Sequence, residues 1–144
     1  MRATLLSLSL LLALPALSQE AATPDAILDA GAIEAVISDQ LSDFNERDVD
    51  GAWEHASPLI QGIFGSAGNF GAMVEQGYPM VWTNAEARFL ELREEGGALR
   101  QKVLIEDAEG RPWILDYEMV ADPGAPDGWL INGVQVLPAP DLSA

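Results

Sequence analysis

Leu99-Arg-Gln-Lys-Val-Leu-Ile-Glu106, the turn cluster Asp107-Ala-Glu-Gly110 and Trp113-Ile-Leu-Asp-Tyr-Glu-Met-Val120 read as two strands of one antiparallel hairpin. Their register follows from the side chains. Setting Val103 opposite Leu115 brings Ile105 against Trp113 and Gln101 against Tyr117 on one face. The other face then matches Lys102 with Asp116 and Arg100 with Glu118. Opposite charges at facing positions contribute about 0.2–1 kcal/mol each, and a one-residue slip would turn the apolar set toward water. A third strand over residues 129–136 returns after the Pro- and Gly-rich loop 122–128. An uninterrupted register predicts Met119 opposite Ile131 and Tyr117 opposite Gly133, where the glycine leaves space above the tyrosine. Gln101, Val103, Leu115, Tyr117, Met119 and Ile131 then form the covered face, with Leu130, Val134 and Val136 on the other.

Upstream of this sheet the period changes. Ile33, Val36, Ile37, Leu41 and Phe44 fall on one stripe at helical spacing, predicting an amphipathic helix of about 14 residues. Asp48 or Asp50 is the candidate cap of a short helix through Ala52, Trp53 and His55, which Ser57-Pro58 should stop. Residues 59–68, with Gly62, Gly65 and Gly68, read as a flexible loop. Gly71 extends the glycine spacing, but the Lys-Ser/Thr of a phosphate loop is missing. Asn69 is the expected cap of a third helix over 70–76, with Gly77 left-handed after it and Pro79 as the stop. Residues 78–84 lead into a further strand over about 87–93, and Glu94-Glu-Gly-Gly97 turns it into the sheet. Helices first and strands afterwards predict an α+β fold: N-terminal helices packed on a curved antiparallel sheet of about four strands, closing into a cone with an open mouth.

Composition bounds the role. The chain has 144 residues, net charge −16 and no cysteine. Arg2, the apolar run from Leu5 to Leu14 and Ala16-Leu-Ser18 have the pattern of a cleavable secretory signal. The run is too short to span a bilayer. The expected organisation is a signal peptide over 1–18, a loose leader over 19–32, one domain over 33–138 and a tail over 139–144. Without a cysteine after the apolar run there is no lipid anchor, and the expected location is periplasmic or secreted. Removing the signal takes one of seven basic residues and none of the 23 acidic ones. So acidic a surface disfavours nucleic acid and anionic membranes, and packing alone must hold the fold.

Several short motifs recur in order: Val36-Ile37, Gln40-Leu41, Phe44, Ala56-Ser-Pro58, Ile63-Phe-Gly65, Phe70, Met73-Val74, Tyr78-Pro79, Gln101, Val103, Tyr117, Met119, Gly128-Trp129, Ile131 and Gly133-Val134. Together they resemble a family of exported bacterial proteins known as a domain of unknown function. Element order and the closing strand also resemble the cone-shaped superfamily of nuclear transport factor 2 and ketosteroid isomerase, which implies a cystatin-like roll. The isomerase resemblance implies an acidic base beside a Tyr in an apolar pocket. Asp116 and Glu118 fall on the face opposite Tyr117, so no catalytic residue carries over.

The remaining candidates follow from residue chemistry. Tyr117, Gln101, Trp82, Tyr78 and Trp53 have the apolar bodies and polar tips of a ligand pocket, or else of a filled core. Leu104, Ile114, Leu130 and Val134 are candidates for a homodimer interface on the outer sheet face. His55, the only histidine, is a general base or simply a helix-end side chain. No cluster has metal-ligand spacing, and no metal or cofactor is expected. The function read from sequence is a non-catalytic small-molecule-binding or protein-interaction module, with a small apolar ligand or a second copy as partner. The alternative is an acid–base enzyme of isomerase or dehydratase type working in the cone. One prediction follows for export: the mature chain recovered from its cell envelope begins at Gln19. Intact-mass measurement checks this, and a mass that still includes Met1 to Ser18 would refute it.

Overall fold

Helix α1, Ala30–Asn45, buries Ile33, Val36, Ile37, Gln40, Leu41 and Phe44, the expected stripe with one polar member added. The computed structural model describes residues 29–138. The expected signal, leader residues 19–28 and the tail lie outside the described residues. Within them the helix starts at Ala30, with Asp29 at its N-cap. It ends at Asn45, and two residues on Arg47 has a left-handed backbone (φ 59°) unusual for a side chain of this size. The Arg47 guanidinium holds that bend, donating to the carbonyls of Phe44 and Trp82 and lying 4.2 Å from the Trp82 ring centroid.

Asp48 caps α2, Val49–Glu54, accepting the Gly51 amide at 3.0 Å. The segment read as a loop is instead helix α3, Pro58–Phe64. Ser57 is extended, as a residue before proline prefers, but its hydroxyl accepts the Ile60 amide and Pro58 fills the first helical turn. Gly65 ends the helix at φ 78°. The Ser-Pro pair therefore starts a helix as well as stopping one. Helix α4, Ala67–Gly77, begins three residues before the expected Phe70 because Ser66 is the cap, and Asn69 instead donates its side chain to the Phe64 carbonyl. Gly77 stays helical, and the break falls at Tyr78. Residues 79–82 form the one-turn helix α5, Pro79–Trp82.

The sheet runs β1 Asn84–Glu95, β2 Ala98–Asp107, β3 Pro112–Ala121 and β4 Trp129–Leu137, antiparallel and in sequence order. Gly96 and Gly97, both at positive φ, make the tight turn between β1 and β2. The β2–β3 register is the expected one, with Gln101 opposite Tyr117 and Lys102 opposite Asp116. The β3–β4 register holds at Met119 and Ile131, then shifts by one residue. Glu118 faces Gly133, and Tyr117 faces Val134. This bulge is a correction to the uninterrupted register. It carries Val134 from the outer face to the helix-covered one, where it packs against the core. Val134 therefore does not belong with the outer-face candidates.

Covered by the helices, Val103, Ile105 and Leu115 are wholly buried, each contributing about 1.5–3 kcal/mol. The outer face is ionic. Asp116 does not bond Lys102, the neighbour expected from register. It instead forms a bidentate pair with Arg93 on β1, with contacts of 3.0 and 2.6 Å that reach over β2. The planar guanidinium fork fits a carboxylate better than an ammonium does. Arg100 pairs with Glu118 at 3.1 Å, and Glu118 also accepts from Asn132. Residues 55–57 line the free edge of β4: the Ile131 amide donates to His55 and the Ser57 amide to Ile131.

The Asp116 side chain is 4% exposed. Asp116→Leu leaves the Arg93 guanidinium with only the exposed Glu95 carboxylate, at 2.9 Å, and should cost about 2–3 kcal/mol, less than a fully stranded buried charge. Arg93→Leu/Asp116→Leu should recover most of that loss. Urea unfolding of the three proteins tests this, and a double variant as unstable as the single one would refute it.

Candidate functional site

Helices α1, α3 and α4 converge over β4 around a cavity of about 250 Å³. Phe44, Phe70, Val74 and Ile131 form part of its wall, while Ile60, Ile63 and Phe64 bring α3 to its rim. Local chemistry explains the α3 contribution. A seven-residue helix capped at both ends presents Ile60, Ile63 and Phe64 along successive turns, and Ile63 remains largely exposed at the rim. Phe70 is the hub of the aromatic wall, with ring centroids 5.9 Å from Phe44, 5.5 Å from Trp53 and 5.9 Å from Phe64.

Two polar side chains line this cavity. Gln40 donates its Nε2 to the Ala52 carbonyl at 3.1 Å, joining α1 to α2. The Tyr78 hydroxyl donates to the Val134 carbonyl at 3.1 Å, fastening the α4–α5 break to β4. Gly133 also lines the cavity, though its partner is Glu118 rather than Tyr117.

Of the residues singled out from sequence, Tyr78 is in the wall. Tyr117 lies behind it, opposite the wall residue Val134, 1% exposed. Its hydroxyl has no hydrogen-bond partner among the described residues. Burial and the nearby Tyr78 raise its pKa well above the ordinary tyrosine value, so the phenol stays neutral. Trp53 packs on Phe70 outside the lining, and Trp82 lies on Phe44 and under Arg47. Gln101 is buried elsewhere, donating to the carbonyls of Leu90 and Lys102 at 3.1 and 2.9 Å. Leu90 sits where β1 is bulged against β2, so Gln101 satisfies backbone that the irregular pairing frees. Leu104 and Ile114 are partly covered on the outer face, and Leu130 is 8% exposed.

His55 stands 3.6 Å from Asp43 in a separate depression on α1 and α2. Desolvation raises the Asp43 pKa, and His55 partly opposes that rise. No residue of that depression lines the apolar cavity. Among the described residues there is no group of three metal-ligating side chains. None of their helices is long and apolar enough to cross a membrane.

Sequence reasoning missed Gln40 and α3. Gln40 carried a signal, being the one polar member of a stripe otherwise made of Ile33, Val36, Ile37, Leu41 and Phe44. The α3 signal was Ser57-Pro58 followed by Gly65, a cap and a stop with seven helical residues between them.

A family model described as Domain of unknown function (DUF4864) matches residues 27–144. No curated protein and no solved structure matches the chain.

The unpartnered Tyr117 hydroxyl yields a prediction of unusual sign. A buried hydroxyl without a partner costs about 1–3 kcal/mol, so Tyr117→Phe should leave stability unchanged or raise it by up to that amount. Thermal unfolding checks this, and a clear loss of stability would mean the hydroxyl is bonded in solution.

Proposed function

The chain belongs to the DUF4864 family of domains of unknown function, and from that premise we propose that it is an exported, non-catalytic module that holds a small, mainly apolar molecule between its helices and β4. The carrying observation is the cavity of about 250 Å³ walled by aliphatic and aromatic side chains. A dry cavity of ~150 Å³ with such a lining already accommodates a benzene ring, so this one has room for a bicyclic skeleton. Export is part of the proposal and rests on the signal-like residues 1–18. A cone of the nuclear transport factor 2 type is also part of the proposal, supported by the helix-then-strand order and a cavity between the layers.

The alternative of an acid–base enzyme has less support. Tyr78 is the one titratable group in the described wall, and its proton is engaged by the Val134 carbonyl. A second copy on the outer face has less support too, because Arg93, Arg100, Asp116 and Glu118 are paired within the chain.

Native mass spectrometry of the protein from its own cell envelope should show a small added mass that is lost on gas-phase activation. With purified protein, indane at 100 times its Kd should add about 2.7 kcal/mol of stability. Ala56→Leu, which extends a wall residue into the space, should abolish that shift without unfolding the protein. A bare mass together with no shift from indane would refute the binding reading.

A further inference from the structure

The wall chemistry restricts what the cavity can hold. Resting on the binding reading above, we propose that it selects an uncharged molecule, apolar over most of its surface, with one hydroxyl or N–H group that donates to the side-chain oxygen of Gln40.

The first argument is charge. No Asp, Glu, Lys, Arg or His lines the cavity. A carboxylate or ammonium moving in from water would lose its hydration against a wall with no counter-ion, which strongly disfavours a charged ligand. An anion would also approach against a chain of net charge −16.

The second argument is hydrogen-bond polarity. Gln40 is 4% exposed on the buried stripe of α1. Its Nε2 must be the atom facing the Ala52 carbonyl, since two acceptors would not pair. The rest of the amide is then an acceptor oxygen in a cavity-lining residue. The Tyr78 proton is used on the Val134 carbonyl, so its oxygen also faces a ligand only as an acceptor. Both polar wall groups therefore ask the ligand for a proton. An ether or a pure hydrocarbon fills the space but leaves Gln40 unanswered. Ligand orientation follows: the donor end lies at Gln40 on α1, and the apolar body lies against Phe64 and Phe70 on α3 and α4.

Four probes sharing one bicyclic body test this by calorimetry: indane, 2-indanol, 2-methoxyindane and 2-indanecarboxylate. At pH 7, 2-indanol should bind about tenfold tighter than its methyl ether, the worth of one buried hydrogen bond. The carboxylate should bind far more weakly and gain affinity as acid neutralises it. In Gln40→Leu the alcohol should lose its advantage and indane should become the tightest of the four. Equal affinity for alcohol and ether in the unaltered protein would overturn the inference, and so would tight binding of the carboxylate at pH 7. The alcohol–ether ratio decides even if Gln40→Leu does not fold. If indane binds but no donor is preferred, this inference alone fails. If none of the four binds, the binding reading fails with it.

Discussion

A small core without disulfides has to satisfy each polar group it buries, and here those bonds fasten one element to another. Gln40 ties α1 to α2 through the Ala52 carbonyl, and Gln101 secures the bulged part of β1. The Ser57 hydroxyl joins the start of α3 to β4 through Asn132 at 2.7 Å. Asp116 binds Arg93 across an intervening strand, and Asp107 accepts the amides of Glu109 and Arg111 and the Trp113 indole around one hairpin turn. Those bonds hold the Asp107 carboxyl below its ordinary pKa, with the Trp113 indole the largest contribution. Leaving any such group unpaired would cost about as much as a good core contact provides. The Tyr117 hydroxyl stands outside this pattern.

The two sheet faces divide the labour. Beneath the helices the face is apolar, and its packing is complete under α1 around Val103, Ile105 and Leu115. Toward β4 it opens into the cavity, roofed there by α3 and α4, which the left-handed Gly65 and the Ser66 cap separate. Outside, paired charges cover the strands. Arg93 with Asp116 and Arg100 with Glu118 are paired there, whereas Gln40 and Tyr78 are the only polar side chains in the described cavity wall.

The β2–β3 register was legible in the sequence because both faces of the hairpin demanded the same pairing. The β3–β4 pairing was legible only at Met119 and Ile131. Apolar residues on both sides of β4 satisfy either register, so no side-chain pattern between Asn132 and Val136 reports a bulge. Helix α1 was legible from its stripe. Helix α3 was hidden because Gly62, the following Gly65 and its exposed apolar residues mimic a loop, and its order comes from end caps and contact with α4. Of the five pocket candidates, Tyr78 reached the wall, whereas Gln40, which lines it, was visible only as a polar interruption of an apolar stripe.

By itself the sequence determined the α+β class, the order of helices first and strands afterwards, the first hairpin's register and the net charge of −16. These are local or nearest-neighbour properties, governed by periodicity, capping and facing side chains. Only the tertiary structure decided that Asp116 is bonded by Arg93 and that Val134 faces inward. It alone decided that Gln40, Tyr78 and the α3 apolar residues surround one space. Those outcomes depend on how far a side chain reaches across strands and on the angles at which short helices meet, neither of which is a function of sequence separation.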